Sequence, residues 1–515
     1  MPRLQNLNPL GVETTGDPQF YVNPDPDGNG IAFNGKPVYT TDQAADTLTR
    51  NGAVWPISGN KTITYSFLDK APGGLYNNPH ETYLASLTEG FAPFTGAQRA
   101  AARNAINLWD DVIAVDFVEK NGKGADILFM NSNTAAAQAA AFTPFLNGGH
   151  GKYFKVQGDL FVNQDTADNF DLYYGGYGQS TLVHEIGHTI GLEHPGDYNF
   201  GDDGPDPGTD PDPITYGGDA FYFQDSAQYS IMSYFHAGNT GTKGFVNWLT
   251  GGFAQTPQTP MIHDIAAAQK LYGAETTTRT GDTTYGFNSN AGRDVFDFTV
   301  NIDPFVAIYD AGGHDTLDLS GWTRNSVLDL AEGGFSSGFG LVLTAAHVTQ
   351  LNAMYGVPFT LANWNAIFNG QTANPGYLSD NISIAIGTII EDGRTGSGSD
   401  DLFGNQVANR LNGGAGQDDL TGRGGNDVFE FSHTSTLGTR DRIFDWTPGA
   451  DKIDVSDLIA QNAFSFIGSN AFNGTAGQVR YAGGMLTGDV NGDSVADFYV
   501  EIIGGAPVVV TDFVF

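Results

Sequence analysis

The chain has no cysteine among its 515 residues, which excludes both disulfides and thiolate metal sites, so stability has to come from packing or bound ions. Basic residues are scarce: 23 Lys and Arg stand against 58 Asp and Glu, a formal charge of −35. Such a surface repels phosphate backbones and anionic lipid, so no nucleic acid and no membrane is expected as a partner, and cations are favoured. Long apolar runs are missing as well. No segment reaches the roughly 18 apolar residues of a membrane span, and the N-terminal MPRLQNLNPLGVETTGD lacks the apolar core of a secretory signal peptide. Taken alone, those absences place the protein in the cytoplasm.

What is present divides at about Ala274. After a leader of about 30 residues rich in Pro, Gly, Asn and Asp, helix and strand patterns alternate. TTDQAADTLTR from Thr40 predicts a short helix, and KTITYSFLD from Lys61 a strand. Thr95 to Val112 predicts a long amphipathic helix with Ala102, Ile106, Leu108 and Trp109 on one side. ADILFMNS from Ala125 is a second strand, and YFKVQGDLFVN from Tyr153 is extended with a break at Gly158. MIHDIAAAQKLYG is a helix ending on Gly273. Beyond Ala274 helical periodicity nearly vanishes. From Thr395 the sequence keeps a nine-residue phase through TGSGSDDLF, GNQVANRLN, GGAGQDDLT and GRGGNDVFE.

These frames approximate G-G-x-G-x-D-x-U-x, with U a large apolar residue, and the core G-x-D-x-U starts at Gly398, Gly416, Gly425 and, in isolation, at Gly292 and Gly313. Glycines allow a turn whose carbonyls point inward, Asp supplies charge, and U buries itself from a short strand. One turn offers half a calcium shell, so ions are expected between consecutive turns of a parallel β-roll. A flexible Gly/Asp linker would have no reason to hold that phase. Asn409 stands where Asp is expected and Arg423 where Gly is expected. DVNGDSVAD from Asp489 spaces oxygens like a calcium loop but lacks the closing Glu, and a polar hairpin turn explains it equally well.

STLVHEIGHTIGLEHPG, Ser180 to Gly196, carries the other chemistry. His184 and His188 are one helical turn apart and can share a metal, and Glu185 can hydrogen-bond a water there without ligating. Gly191 ends the helix and lets His194 return as a third nitrogen, leaving zinc an open position. H-E-x-x-H alone is a weak motif, but H-E-x-x-H-x-x-G-x-x-H fixes five positions and predicts a downstream Met-turn. SIMSYF, Ser230 to Phe235, meets that prediction with Met232 as an apolar floor and Tyr234 within reach of the metal.

HEIGHTIGLEHP, SIMSY and the nonapeptides together resemble the serralysin family, secreted bacterial zinc metalloproteases with C-terminal calcium-binding repeats. The resemblance implies an α+β metzincin catalytic domain over 17–274 and an all-β parallel β-roll or β-sandwich domain over 275–515, after a propeptide at 1–16. It implies one catalytic zinc on His184, His188 and His194, Glu185 as general base, and Tyr234 as a labile ligand that stabilises the oxyanion. Several structural calcium ions follow. Arg279, Gly281 and Thr283 would face Asp310, Gly312 and Asp315, with Glu391 joining Asp315 at a second ion. Gly396, Gly398 and Asp400 would share ions with Gly413, Ala415, Gly416 and Asp418, and Asn405 and Asn409 with Gly422, Gly424 and Asp427. Implied partners are protein or peptide substrates, a type I exporter reading the C-terminal TDFVF, and a proteinaceous inhibitor, with the chain a monomer. Export of this kind reverses the cytoplasmic reading. A segment of roughly fifty residues, 333–381, departs from the family pattern, and its GFSSG is a formal hydrolase-elbow match without the flanking strand and helix. The rival reading is a secreted calcium-binding adhesin with a vestigial zinc site.

Overall fold

Two helices start where a threonine can cap them. Thr40 and Thr95 each accept the N–H of the glutamine three residues on, and Gln43 and Gln98 reach back to the cap N–H, which opens α1 (Thr41–Leu48) and α2 (Gly96–Asp110). A computed structural model describes residues 29–515 apart from 33, 58–61, 74–75, 77–86, 134–137, 145–155, 199–213, 243–245, 248–251, 254–255, 339–344, 346–347, 350–351, 354–356 and 364–377. The expected propeptide and much of the 333–381 segment lie outside these residues. Among the described helices, none is long and apolar enough to cross a membrane.

The first half is an α+β layer structure. Strands β1 (Thr62–Phe67), β2 (Asp116–Glu119), β3 (Ile127–Ser132), β4 (Ala139–Ala141) and β5 (Leu160–Asn163) form one sheet in the order β2-β1-β3-β5-β4. All pairings are parallel except that of β4, which runs antiparallel to β5 at the edge. The apolar stripe of α2 is buried as its spacing predicts, and Trp109, fully buried, donates its indole N–H to the Val183 carbonyl of α3 (Tyr177–Thr189) at 3.0 Å. That bond joins the scaffold helix to the one carrying His184 and His188. Helix α4 (Ile262–Tyr272) closes the half and stops at Gly273, whose φ of 84° suits glycine.

Past Ala274 the chain coils through two facing sheets, with a smaller third sheet formed by strands at 306–308, 335–336 and 382–384. Strands at 284–286, 316–318, 392–394, 410–412, 428–430, 452–454 and 513–514 stack in parallel in one. Strands at 327–329, 401–403, 419–421, 441–443 and 498–502 stack in parallel in the other, which continues through antiparallel strands at 485–489 and 478–482 and ends on 465–466, parallel to 478–482. From 392 to 454 consecutive strands alternate between the sheets, giving a parallel β-roll, and the U residues Leu402, Leu411, Leu420 and Phe429 all point into its buried middle. The isolated frame at Gly292 adds no strand to the roll: Asp294–Phe296 is a single 3-10 turn, followed by one parallel bridge from Asp297 to Gly286. Within GFSSG, Ser336 lies in a buried two-residue strand with its hydroxyl on the Asp329 backbone, so it is a packing residue and no exposed nucleophile. The Asp489 loop is a hydrogen-bonded turn, with the Asp489 carboxylate accepting from the N–H groups of Gly492 and Ser494 and the Asp497 carboxylate from that of Val490.

The halves are tied by a buried ion cluster. Asp111, at the end of α2, accepts from Arg279 at 2.8 Å and Arg293 at 2.7 Å. Burial alone would raise the Asp111 carboxyl, but the two guanidinium groups hold it below the usual carboxylate range. Its contribution is present above the ordinary carboxylate pKa and is lost only as pH falls through that depressed value. Asp111→Ala leaves two guanidinium groups in a partly dry site and should cost about 3–5 kcal/mol, read from denaturant unfolding at neutral pH.

Candidate metal centre

Helix α3 sets its two histidines on one face because they are four residues apart, and the chain then has to turn sharply to bring back a third. Gly191 makes the turn with φ 107°, and a Cβ there would lie 2.0 Å from the Ala53 carbonyl, so no other residue fits. The three rings converge: the Nε2 atoms of His188 and His194 are 3.2 Å apart, those of His194 and His184 3.3 Å, and one ligand atom from each lies within 4.8 Å of the others.

Each Nδ1 faces a carbonyl oxygen, which can only accept. His184 donates to Ile231 at 2.8 Å, His188 to Leu192 at 2.7 Å and His194 to Tyr198 at 2.9 Å. The proton is therefore on Nδ1 and the lone pair on Nε2 in all three. Burial lowers His184 to about 3 and His188 to about 4, and holds His194 well below its ordinary value, so the rings stay neutral. Three bare lone pairs packed this closely repel one another and have no donor among themselves. A cation with three nitrogen ligands and an open position, as in catalytic zinc sites, fits the set.

Glu185 is 8% exposed, and its carboxylate accepts the Ala141 backbone N–H at the edge strand β4. Burial pushes it up to about 8, and a bound dication would draw it back down. Below the histidines, Met232 is fully buried, and a Cβ on Gly187 would meet its sulfur at 2.6 Å, so the helix rests directly on the Met-turn. The Tyr234 ring sits 4.3 Å from that of His194 and 6.1 Å from that of His184, with the residue 42% exposed toward solvent. It is more exposed than any of the three histidines.

The expected calcium residues are also brought together. A Cβ on Gly313 would touch the Gly281 carbonyl at 2.5 Å, so the turn holding Arg279, Gly281 and Thr283 lies against that of Asp310, Gly312 and Asp315. Asp315 accepts from Thr283 N–H at 2.8 Å, and Glu391 accepts from Asp315 N–H at 2.8 Å. In the roll, Gly414 and Gly416 press on the carbonyls of Gly396 and Gly398, the Ala415 N–H donates to Gly396, and Gly413 packs on Asp418. A ladder of aspartates runs along this edge: Ser326 N–H to Asp400, Asp400 N–H to Asp418, Asp418 N–H to Asp441, each using one carboxylate oxygen. The second oxygens of Asp315, Asp400 and Asp418 are buried without a hydrogen-bond partner. Orphaned anionic oxygens beside inward carbonyls are what a hard cation satisfies.

One position differs. The Asn405 amide nitrogen donates to Leu330 and Ile390 carbonyls and that of Asn409 to the Glu391 carbonyl, while the two amide oxygens accept from Val407 and Asn405 N–H groups. Arg423, with φ 65°, forks onto the buried Asp329 carboxylate and the Gly404 carbonyl. The amides of Asn405 and Asn409 are thus engaged within the fold, their oxygens by backbone N–H groups and their nitrogens by carbonyls. On the facing turn Gly422, Gly424 and Asp427 do assemble, with Asp427 accepting from Asn409 N–H at 2.9 Å. The nine-residue phase missed Asp441 and Asp451, which continue the two ladders from longer turns.

Residues 86–199 match the family described as Matrixin, and residues 274–358 and 365–515 match Peptidase M10 serralysin C terminal. The chain is 40% identical over 504 residues to Metallopeptidase AprA of Pseudomonas marginalis, covering 93% of this chain and 92% of that one. It is 38% identical to Metalloprotease AprA of Pseudomonas entomophila, covering 95% of this chain and 93% of that one, and 34% identical to Serralysin G of Dickeya chrysanthemi, covering 93% and 91%. With both halves matched, and a histidine cluster of the expected kind between them, this chain belongs to the serralysin family.

Proposed function

We propose that this serralysin-family zinc metalloendopeptidase cleaves internal peptide bonds at the His184–His188–His194 cluster, with Glu185 as its general base. The convergence of three neutral Nε2 lone pairs beside one buried carboxylate supports this reading most strongly. Zinc, when bound, supplies Lewis acidity that polarises the scissile carbonyl and makes water a better nucleophile at neutral pH.

The chain's own groups do the rest. Among the described residues β4 pairs only with β5, so its outer edge offers backbone N–H and C=O groups to an extended peptide, a mode that reads main chain and tolerates many sequences. Glu185 lies against Ala141 of that strand and takes a proton from water at the site, then passes it to the leaving amine nitrogen. Tyr234 donates its phenol O–H to the oxyanion as it forms. Internal cleavage of a denatured protein by the purified calcium-loaded chain, with the new N-termini read out, tests this reading, and release of terminal residues only would overturn it. Tyr234→Phe should lower kcat by about 10²–10³-fold with KM nearly unchanged, measured on a quenched peptide.

Calcium at the 279–283/310–315 turns with Glu391, and at the 396–400/413–418 turns, completes the fold in this reading, supported by the orphaned oxygens of Asp315, Asp400 and Asp418. Residues 1–16 act as a propeptide, 17–274 as the catalytic domain and 275–515 as the calcium-binding domain. Export runs through a type I exporter, with the roll folding as it meets calcium outside the cell.

A further inference from the structure

Two carboxylates near the metal centre are buried and take no part in the chemistry assigned above. Asp264, the third residue of α4, and Asp225 are both 0% exposed, and each grips one end of the Ser230–Tyr234 turn. One oxygen of Asp264 accepts the Ser230 hydroxyl at 2.6 Å, and the other accepts the N–H groups of Ile231 at 2.6 Å and Met261 at 2.8 Å. The Ser230 hydroxyl oxygen accepts Met232 N–H at 3.1 Å. Pinned through its N–H, the Ile231 residue turns its carbonyl to His184 Nδ1.

Asp225 works from the other side. One of its oxygens accepts the Tyr198 phenol at 2.8 Å and the Ser233 hydroxyl at 2.7 Å. The Tyr198 carbonyl takes the Nδ1 proton of His194, and Ser233 directly precedes Tyr234. Both relays therefore end on the carbonyl that fixes the tautomer of a histidine.

We propose that Asp264 and Asp225 are positioning residues for the zinc ligands, holding Ile231 and Tyr198 so that His184 and His194 present Nε2 to the metal. The proposal rests on the zinc reading above. A purely structural alternative exists, since Asp264 also caps α4 through Met261 N–H. That alternative predicts lower thermal stability and nothing else.

The two accounts separate at the metal. In the full calcium-loaded chain, Asp264→Asn replaces an oxygen that accepts N–H groups with an amide nitrogen. Ser230→Ala removes one hydroxyl from the relay and leaves the Met261 cap in place. Both variants should bind zinc about 10–100-fold more weakly in chelator competition and shift the visible spectrum of the cobalt(II)-substituted protein. Ser233→Ala should shift it through the His194 side. If Asp264→Asn fails to fold, Ser230→Ala carries the test alone. Wild-type zinc affinity and an unchanged cobalt spectrum in Ser230→Ala and Asp264→Asn would overturn the proposal, even with a lowered Tm. A wild-type chain that binds no zinc would sink the zinc reading first, and the proposal with it.

Discussion

Glu185→Gln is expected to lower kcat by at least about 10²–10⁴-fold while the protein keeps its zinc. The amide matches the carboxylate in shape and can still accept the Ala141 N–H, so the groove and the three imidazoles stay where they are. What it cannot do is take a proton. Burial pushes the Glu185 carboxyl up to about 8 in the metal-free chain, so its charge costs stability once pH exceeds the ordinary carboxylate value. The neutral amide removes that cost, and Tm of the metal-free variant should equal or exceed wild type at pH 8. Loss of turnover with zinc and stability retained separates a proton carrier from a structural residue. Equal zinc content and equal kcat in the two proteins would refute the assignment of Glu185 as the general base.

Calcium removal is expected to have the larger structural effect. Excess chelator at pH 8 should strip most β content from the second half, seen as loss of its circular dichroism, and readdition of calcium should restore it. The cause is buried like charge. Desolvation, with help from neighbouring carboxylates, pushes Asp418 up to about 9, Asp315 and Asp441 to about 7, and burial pushes Asp400 to about 6 when no cation faces them. Carboxyl groups raised in the folded state favour folding only while protonated, so without calcium the roll should weaken as pH climbs from about 4 through these values. Calcium takes the place of those protons and should flatten or reverse the slope. Melts at pH 5 and pH 8, with chelator and with calcium, measure both effects. Full β content in excess chelator at pH 8 would contradict the calcium account.

How much of this was legible in the sequence depended on how local each signal is. The caps at Thr40 and Thr95 act within one turn, and both helices begin where they predict. The U positions of the nonapeptides are local too, and Leu402, Leu411, Leu420 and Phe429 fill the roll as expected. His184, His188, Gly191 and His194 lie within eleven residues, so chain geometry alone could bring them together. Contacts across the fold were not legible. Asp441 and Asp451 continue the ladders but break the nine-residue phase, and Asp225 and Asp264 look like ordinary surface acids until the Met-turn folds onto them. Local likeness also misled. The Gly292 frame carries the repeat pattern yet forms a 3-10 turn, and only Asp297 after it pairs with the roll, at Gly286. Asn405 and Asn409 keep the spacing of cation ligands, and the spacing gave no sign that their amides would donate to the Ile390 and Glu391 carbonyls.

The central claim is that three histidines hold a zinc ion on which peptide hydrolysis depends. Zinc titrated back into chelator-stripped, calcium-loaded protein, with metal content and casein hydrolysis followed on the same samples, tests it most directly. The account predicts no hydrolysis in the stripped protein and recovery that saturates at one zinc per chain. Full hydrolysis in protein shown to be free of zinc would contradict it.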